Sequence, residues 1–232
     1  MQQQHLLDNP VYNALLTNDA HLGYGTEAVK YFDEEVSPFA GFSEDHPDVF
    51  GALHQLIPPG RTILYATRHL IKEPAGWKLL HEIKGLQFVF TGGKFDNTAK
   101  HHLVPLDKNN VDAMVQLAAL TKPGPFSSRT IEFGEYYGIF ENGQLAAMAG
   151  QRLHFAQYAE ISAVCTHPDF LGKGFAAALI QQQLEIITSE HKIPFLHVRG
   201  DNERAIALYN RLGFKESGVM NFYVLRRDGV DV

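Results

Sequence analysis

The run Leu171-Gly172-Lys173-Gly174-Phe175-Ala176 places two glycines between a strand-like segment, Glu160 to Thr166, and a long segment of helical periodicity. Glycine lets backbone N–H groups approach a phosphate closely, and a helix N-terminus adds a partial positive charge. The chemistry on offer is anion binding. Such turns are common, and alone the run reads as a tight entry to a helix. A second element gives it weight. Asn202, Ala205 and Tyr209 stand at i, i+3 and i+7, so they share one helix face. A strand, Phe195 to Val198, feeds that helix, so Tyr209 can stand above the sheet edge near the anion loop. A phenol there can donate a proton to a departing anion. The competing reading of Tyr209 is a core tyrosine with a satisfied hydroxyl.

Other reactive residue types carry less. Cys165 is the one cysteine, and a lone thiol in an apolar strand reads as a small hydrophobe rather than a nucleophile. His101 and His102 are adjacent, so on a strand they point to opposite faces. The histidines show no ligand spacing, and no metal is expected. Thr91-Gly92-Gly93-Lys94 is P-loop-like, but Phe95 follows where Ser or Thr is required, which leaves a turn.

The positioning elements follow from periodicity and punctuation. After Gly174, Ala176, Ile180, Leu184 and Ile187 form one apolar helical stripe. Glu141-Asn142-Gly143 lies between the apolar runs 136–140 and 144–153, the best short hairpin signal in the chain. His102 to Leu106 reads as a strand, and Asp107 as the N-cap of a helix carrying Val111, Met114, Leu117 and Leu120. Gly213 reads as the C-cap of the Tyr209 helix. Phe214 and then Asn221 to Leu225 read as a final pair of strands. The order from residue 99 is β-α-hairpin-β-α-β-α-β-β, a mixed α/β sheet. Earlier, Asp8-Asn9-Pro10 and Asp45-His46-Pro47 precede two short helices. Residues 62–66 and 85–90 read as strands.

The 232 residues suffice for one large domain or two small ones, with 45% hydrophobic and 20% charged residues. A net charge of -6 argues against a general nucleic-acid binder, which needs a basic face. The single cysteine rules out an intramolecular disulfide and makes a cytoplasmic setting the expectation. The N-terminus lacks a signal-peptide pattern, and no apolar run approaches the ~20 residues of a membrane helix.

Taken in order and spacing, a set of residues resembles the GNAT superfamily of acyl-CoA-dependent N-acetyltransferases. The set is Ala159-Glu160-Ile161-Ser162, His167-Pro168-Asp169-Phe170, Leu171 to Ala176, Leu196-x-Val198, and Asn202-x-x-Ala205-x-x-Leu208-Tyr209-x-x-x-Gly213-Phe214. The resemblance covers residues 99–232. It implies a mostly antiparallel mixed sheet flanked by helices, with residues 1–98 as a smaller α/β region. That region is similar to a degenerate copy of the same layout, as in glycine N-acyltransferase-like proteins, and would cover the acceptor cleft.

The resemblance also implies roles. Leu171, Gly172, Lys173, Gly174, Phe175 and Ala176 would hold the pyrophosphate of acetyl-CoA. Leu171 departs from the family's usual Arg or Gln, and Lys173 would replace part of the lost charge. Val164, Cys165 and Thr166 would hold the pantetheine arm, with the Val164 N–H directed at the thioester oxygen. Asn202 would contact the cofactor, and Tyr209 would protonate the departing thiolate. An alkylamine has a pKa near ~10, so a base must take its proton. Glu160, where relatives often carry glutamate, is the candidate.

The expected reaction is transfer of an acetyl group to a primary amine, small molecule or peptide, by direct attack in a ternary complex. No nucleic-acid or membrane partner is expected, and a homodimer is compatible with the sequence. A non-catalytic acyl-CoA sensor is the alternative, followed by a nucleotide-phosphate enzyme using the same loop.

Overall fold

In a computed structural model, which describes residues 5–93 and 101–229, the chemistry of single residues sets most element ends. The chain order is α1 (Pro10–Leu16), β1 (Gly23–Gly25), β2 (Val29–Phe32), β3 (Phe39–Phe42), α2 (Val49–His54), β4 (Thr62–Thr67) and β5 (Trp77–Phe90). It continues with β6 (Val104–Pro105), α3 (Val111–Thr121), β7 (Tyr137–Glu141), β8 (Gln144–Phe155), β9 (Tyr158–Thr166), α4 (Phe175–Ser189), β10 (Ile193–Arg199), α5 (Glu203–Arg211) and β11 (Phe214–Arg227). Pro10 sits at the start of α1, where its missing N–H costs no hydrogen bond. Asn142 and Gly143 have φ of 52° and 78°, as the expected two-residue hairpin turn between β7 and β8 demands. Asp107 caps a 3-10 turn in a reciprocal capping box before α3. The second helix follows Asp45-His46-Pro47 as expected, with Asp48 as its N-cap accepting from the Gly51 N–H.

One sheet runs through the molecule in the order β1-β2-β3-β4-β11-β5-β10-β9-β8-β7-β6. Only β3–β4 and β9–β10 are parallel; the other neighbours are antiparallel. Helices cover both faces, and alternate residues of β8 show how. Met148 packs with Met114 and Leu117 of α3, while Ala147 and Ala149 pack with Phe175 and Leu179 of α4. The α4 stripe is broader than expected: Phe175, Leu179 and Gln183 are buried beside Ile180, Leu184 and Ile187, and Ala176 is half-buried. No helix among the described residues is long and apolar enough to cross a membrane.

Three expectations change. The final pair of strands is one strand of 14 residues, bent by a register shift between Glu216 and Gly218, where Gly218 has a φ of 144°. Glycine punctuation marks a bulge here, not a strand end. The strand expected over 102–106 is confined to Val104–Pro105, which pairs with Gly138 and Tyr137 at the sheet edge. The third change concerns the 85–90 strand. It belongs to the long β5, which lies between β10 and β11 and is antiparallel to both. The boundary expected near residue 98 lies outside the described residues, but the regions on either side share this sheet.

Candidate active site

The site is opened by two strands that part. β9 and β10 pair only at Ile193–Tyr158, Pro194–Ala159 and Phe195–Glu160. Beyond that crossing β9 runs on to Thr166 beside β8, and β10 runs on to Arg199 beside β5. A bulge helps them diverge. Met148 pairs with Cys165 and Gly150 with Ser162, so Ala163 and Val164 together face Ala149. Ala163 adopts a φ of 53°, sparsely populated for a residue with a side chain and found where tertiary structure fixes it. The ladder is interrupted at Val164.

Between the strands lies a cleft of about 810 Å³. Val164, Cys165 and Thr166 line it from β9, and Leu171 through Ala176 from the anion loop. Asn202 and Tyr209 line it from α5. Sequence reading separated these groups by up to 45 positions, and strand divergence brings them to one cavity.

The loop is shaped as an anion cradle. Gly172 and Gly174 both have φ of 83°, a left-handed backbone that favours glycine. A Cβ at Gly172 would meet nothing within 4 Å, and one at Gly174 only His101 Nε2 at 3.7 Å. That nitrogen is itself buried with no hydrogen-bond partner among the described residues. Open space over two left-handed glycines, with an unsatisfied imidazole nitrogen beside it, fits a phosphate group. Lys173, Arg199, Arg204 and Arg211 also line the cleft, from the loop, the end of β10 and α5. Leu171 is half exposed, and Lys173 Nζ lies 4.9 Å from the Phe170 ring centroid.

Tyr209 is 7% exposed, and burial pushes its hydroxyl up to about 12, so the phenol keeps its proton across the neutral range. Asn202 caps α5, its Oδ1 accepting from the Ala205 N–H at 3.1 Å, which leaves its amide N–H groups to the cleft. Cys165 is buried, and desolvation raises its thiol to about 11. This is an unreactive thiol.

Glu160 stands apart from the others. It is 1% exposed and is not among the lining residues. Its carboxylate accepts from Arg152 Nε at 2.9 Å and Nη2 at 2.8 Å, and lies 2.8 Å from His197 Nδ1. Burial pushes its pKa up, but the Arg152 charge and the His197 contact outweigh burial and hold it at about 2. A carboxylate so held is poorly poised to take a proton near neutral pH.

Arg152 and His197, which sequence reading passed over, do line the cleft. The only sequence signal for them is an ionisable residue inside each of three apolar strands, since buried charges must be paired. His197 is held at both nitrogens. Gln87 Oε1 accepts from Arg68 Nη2 at 2.6 Å, and its Nε2 donates to the Leu7 carbonyl at 2.9 Å. The same Nε2 lies 3.0 Å from His197 Nε2, so an N–H faces that nitrogen. His197 Nε2 therefore accepts, and the ring proton sits on Nδ1, donated to Glu160. The first region reaches the cleft as well, through Phe39, Leu64 and Ile83. Thr91–Gly93 packs against Leu212 and Gly213, Thr91 Oγ1 donating to the Gly213 carbonyl at 3.2 Å, and Lys94 and Phe95 lie outside the described residues.

The cleft thus brings together two left-handed loop glycines, a strand interrupted at Val164 and a protonated phenol. The family model described as FR47-like protein matches residues 136–223. A solved structure described as a GNAT-family acetyltransferase, from Novosphingobium aromaticivorans DSM 12444, is 31% identical. The alignment covers 97% of this chain and all of that one, with a TM-score of 0.89. The chain belongs to the GNAT superfamily of acyl-CoA-dependent N-acyltransferases. It is also similar to the ribosomal protein bS18 alanine N-acetyltransferase of Escherichia coli K12, 28% identical over 130 residues, covering 53% of this chain and 87% of that protein. A spermidine N(1)-acetyltransferase of Vibrio cholerae is 42% identical over 62 residues, 25% of this chain and 35% of that protein.

Proposed function

We propose that the protein moves an acetyl group from acetyl-CoA to a primary amine by direct attack in a ternary complex. The observation that carries this is the single cleft joining the Gly172–Gly174 cradle, Val164 and Tyr209. When bound, acetyl-CoA supplies an activated thioester. The loop N–H groups and basic side chains hold its pyrophosphate, and Asn202 contacts it from the start of α5. Val164, Cys165 and Thr166 hold the pantetheine arm by strand-like contacts, and the Val164 N–H donates to the thioester oxygen as negative charge develops.

The amine nitrogen bonds to the carbonyl carbon, the carbon–sulfur bond breaks, and the nitrogen releases one proton to cleft water. Tyr209 gives its proton to the leaving thiolate and recovers one from solvent. A phenol near 12 is a weak acid, and the apolar walls, which disfavour a bare thiolate, narrow the gap between donor and acceptor.

Glu160 is assigned a positioning role: it fixes Arg152 and His197 rather than taking the amine's proton. The cleft itself favours the neutral amine. Apolar walls disfavour an ammonium ion, which lowers the pKa of a bound amine.

Coenzyme A release from acetyl-CoA against a panel of amines tests the proposal, with Tyr209→Phe as control. The variant is expected to bind acetyl-CoA nearly as well and turn over about 10²-fold more slowly or worse. Tight acetyl-CoA binding without release for any amine would favour the sensor alternative.

A further inference from the structure

The acceptor end of the cleft has a distinctive chemistry. Lys122, Arg152, Lys173, Arg199, Arg204 and Arg211 line the cavity, and no Asp or Glu does among the described residues. The chain as a whole carries a net charge of -6, so this is a local reversal. Most of these cations surround the cofactor loop and α5. Arg152 does not. It lies opposite Glu160 in the β8–β9 ladder, at the crossing where β9 and β10 still pair.

Arg152 is also incompletely used. Nε and Nη2 bind Glu160, while Nη1 makes no hydrogen bond among the described residues. The side chain is 10% exposed, Nη1 is not among the fully buried orphan atoms, and Arg152 is one of the residues that line the cleft. Its surroundings are apolar. The guanidinium carbon lies 4.8 Å from the Phe39 ring centroid. Phe39 and Phe222 approach edge to face at 6.4 Å, and Phe222 meets His197 at 5.4 Å. Leu64 and Ile83 complete the wall. A guanidinium N–H in an apolar pocket is costly to leave unmade and is matched best by an anionic oxygen.

We propose that the acceptor is an α-amino acid with a bulky apolar side chain, its carboxylate held by Arg152 Nη1 and its side chain packed on Phe39, Leu64, Ile83 and Phe222. This rests on the acetyltransferase reading above and extends it. A polyamine fits less well, because its second cation would find no Asp or Glu among the described residues that line the cleft.

The test uses the full chain and acetyl-CoA, measuring coenzyme A release with L-phenylalanine, L-leucine, phenethylamine and spermidine. Rates are expressed per neutral amine, so that differences in amine pKa do not intrude. Phenylalanine is expected to exceed phenethylamine in kcat/KM by about tenfold or more, the worth of one hydrogen bond to a charged group. Spermidine is expected to be the poorest. In Arg152→Lys, which keeps a cation for Glu160 but loses the free fork, the preference for phenylalanine over phenethylamine should collapse. A purely structural role for Arg152 would lower both rates and leave their ratio unchanged. Equal rates for the two aromatic amines in the unaltered protein, or spermidine as the best acceptor, would overturn the assignment whether or not the variant folds. Release with no amine at all would overturn the transferase reading, and this inference with it.

Discussion

Arg152 and Glu160 face each other across the β8–β9 ladder and are joined by two hydrogen bonds of 2.9 and 2.8 Å. The pair is almost wholly buried. It neutralises itself where the two strands of the cleft begin to part, and one oxygen of Glu160 also accepts a hydrogen bond from His197 Nδ1. Removing either partner leaves a bare charge in the interior. Glu160→Gln is expected to destabilise the fold by about 3–5 kcal/mol, read from urea unfolding at neutral pH. A loss below about 1 kcal/mol would contradict the buried-pair account.

The same pair sets acid sensitivity. Glu160 has a folded pKa of about 2 against an ordinary value of 4.5. A depressed folded pKa adds stability that is fully present above 4.5 and is lost as the pH falls toward 2. The urea midpoint of the unaltered protein should fall across that window. Glu160→Gln, with no carboxyl to protonate there, should show a shallower fall.

Tyr209 predicts the alkaline behaviour of turnover. Its proton is retained up to about 12, so no loss of the acid should appear across the neutral and mildly alkaline range. The rate should rise with pH until the amine's own pKa in the cleft is passed, then level off. Amines of different pKa should therefore shift the break in the profile. A break that stays at one pH for all amines would point to an enzyme base instead.

The two loop glycines share one backbone strain, each with a φ of 83°. Gly172→Ala meets open space and should cost only the left-handed backbone, about 1–2 kcal/mol. Gly174→Ala adds a methyl beside His101 Nε2, at the helix entry itself. Calorimetry should show weaker acetyl-CoA binding in both variants, more so in Gly174→Ala. Unchanged affinity in both would remove the loop from the phosphate site.

Cys165 should be silent. With its thiol near 11, about one molecule in a thousand carries a thiolate at pH 8. Iodoacetamide should label the native protein far more slowly than the urea-unfolded chain, and Cys165→Ala should retain turnover. Rapid native labelling would mean that β9 is more open than the structure shows.

Much was legible in the chain because it is local. Asn142-Gly143 requires positive φ, Asp107 and Asn202 are built to cap, and Gly172 and Gly174 announce a backbone no other residue adopts cheaply. The i, i+3, i+7 spacing placed Asn202, Ala205 and Tyr209 on one face whatever they pack against. Other features carried no local mark. Phe214 and Asn221 to Leu225 read as separate strands, yet pairing with β5 on both sides of Gly218 makes them one. The bulge at Ala163–Val164 has no sequence signal, since alanine gives no hint of a positive φ.

The sequence by itself determined the cradle, the phenol and the strand that leads to them, because main-chain conformation and helix spacing are short-range properties. Only the tertiary structure decided what those parts face. Insertion of β5 between β10 and β11 puts Gln87 beside His197 and Ile83 beside Phe222. Cross-strand register places Glu160 against Arg152, out of the cleft rather than in it. These are contacts between residues up to 139 positions apart, set by which strands pair and in what register, and no stretch of chain encodes them alone.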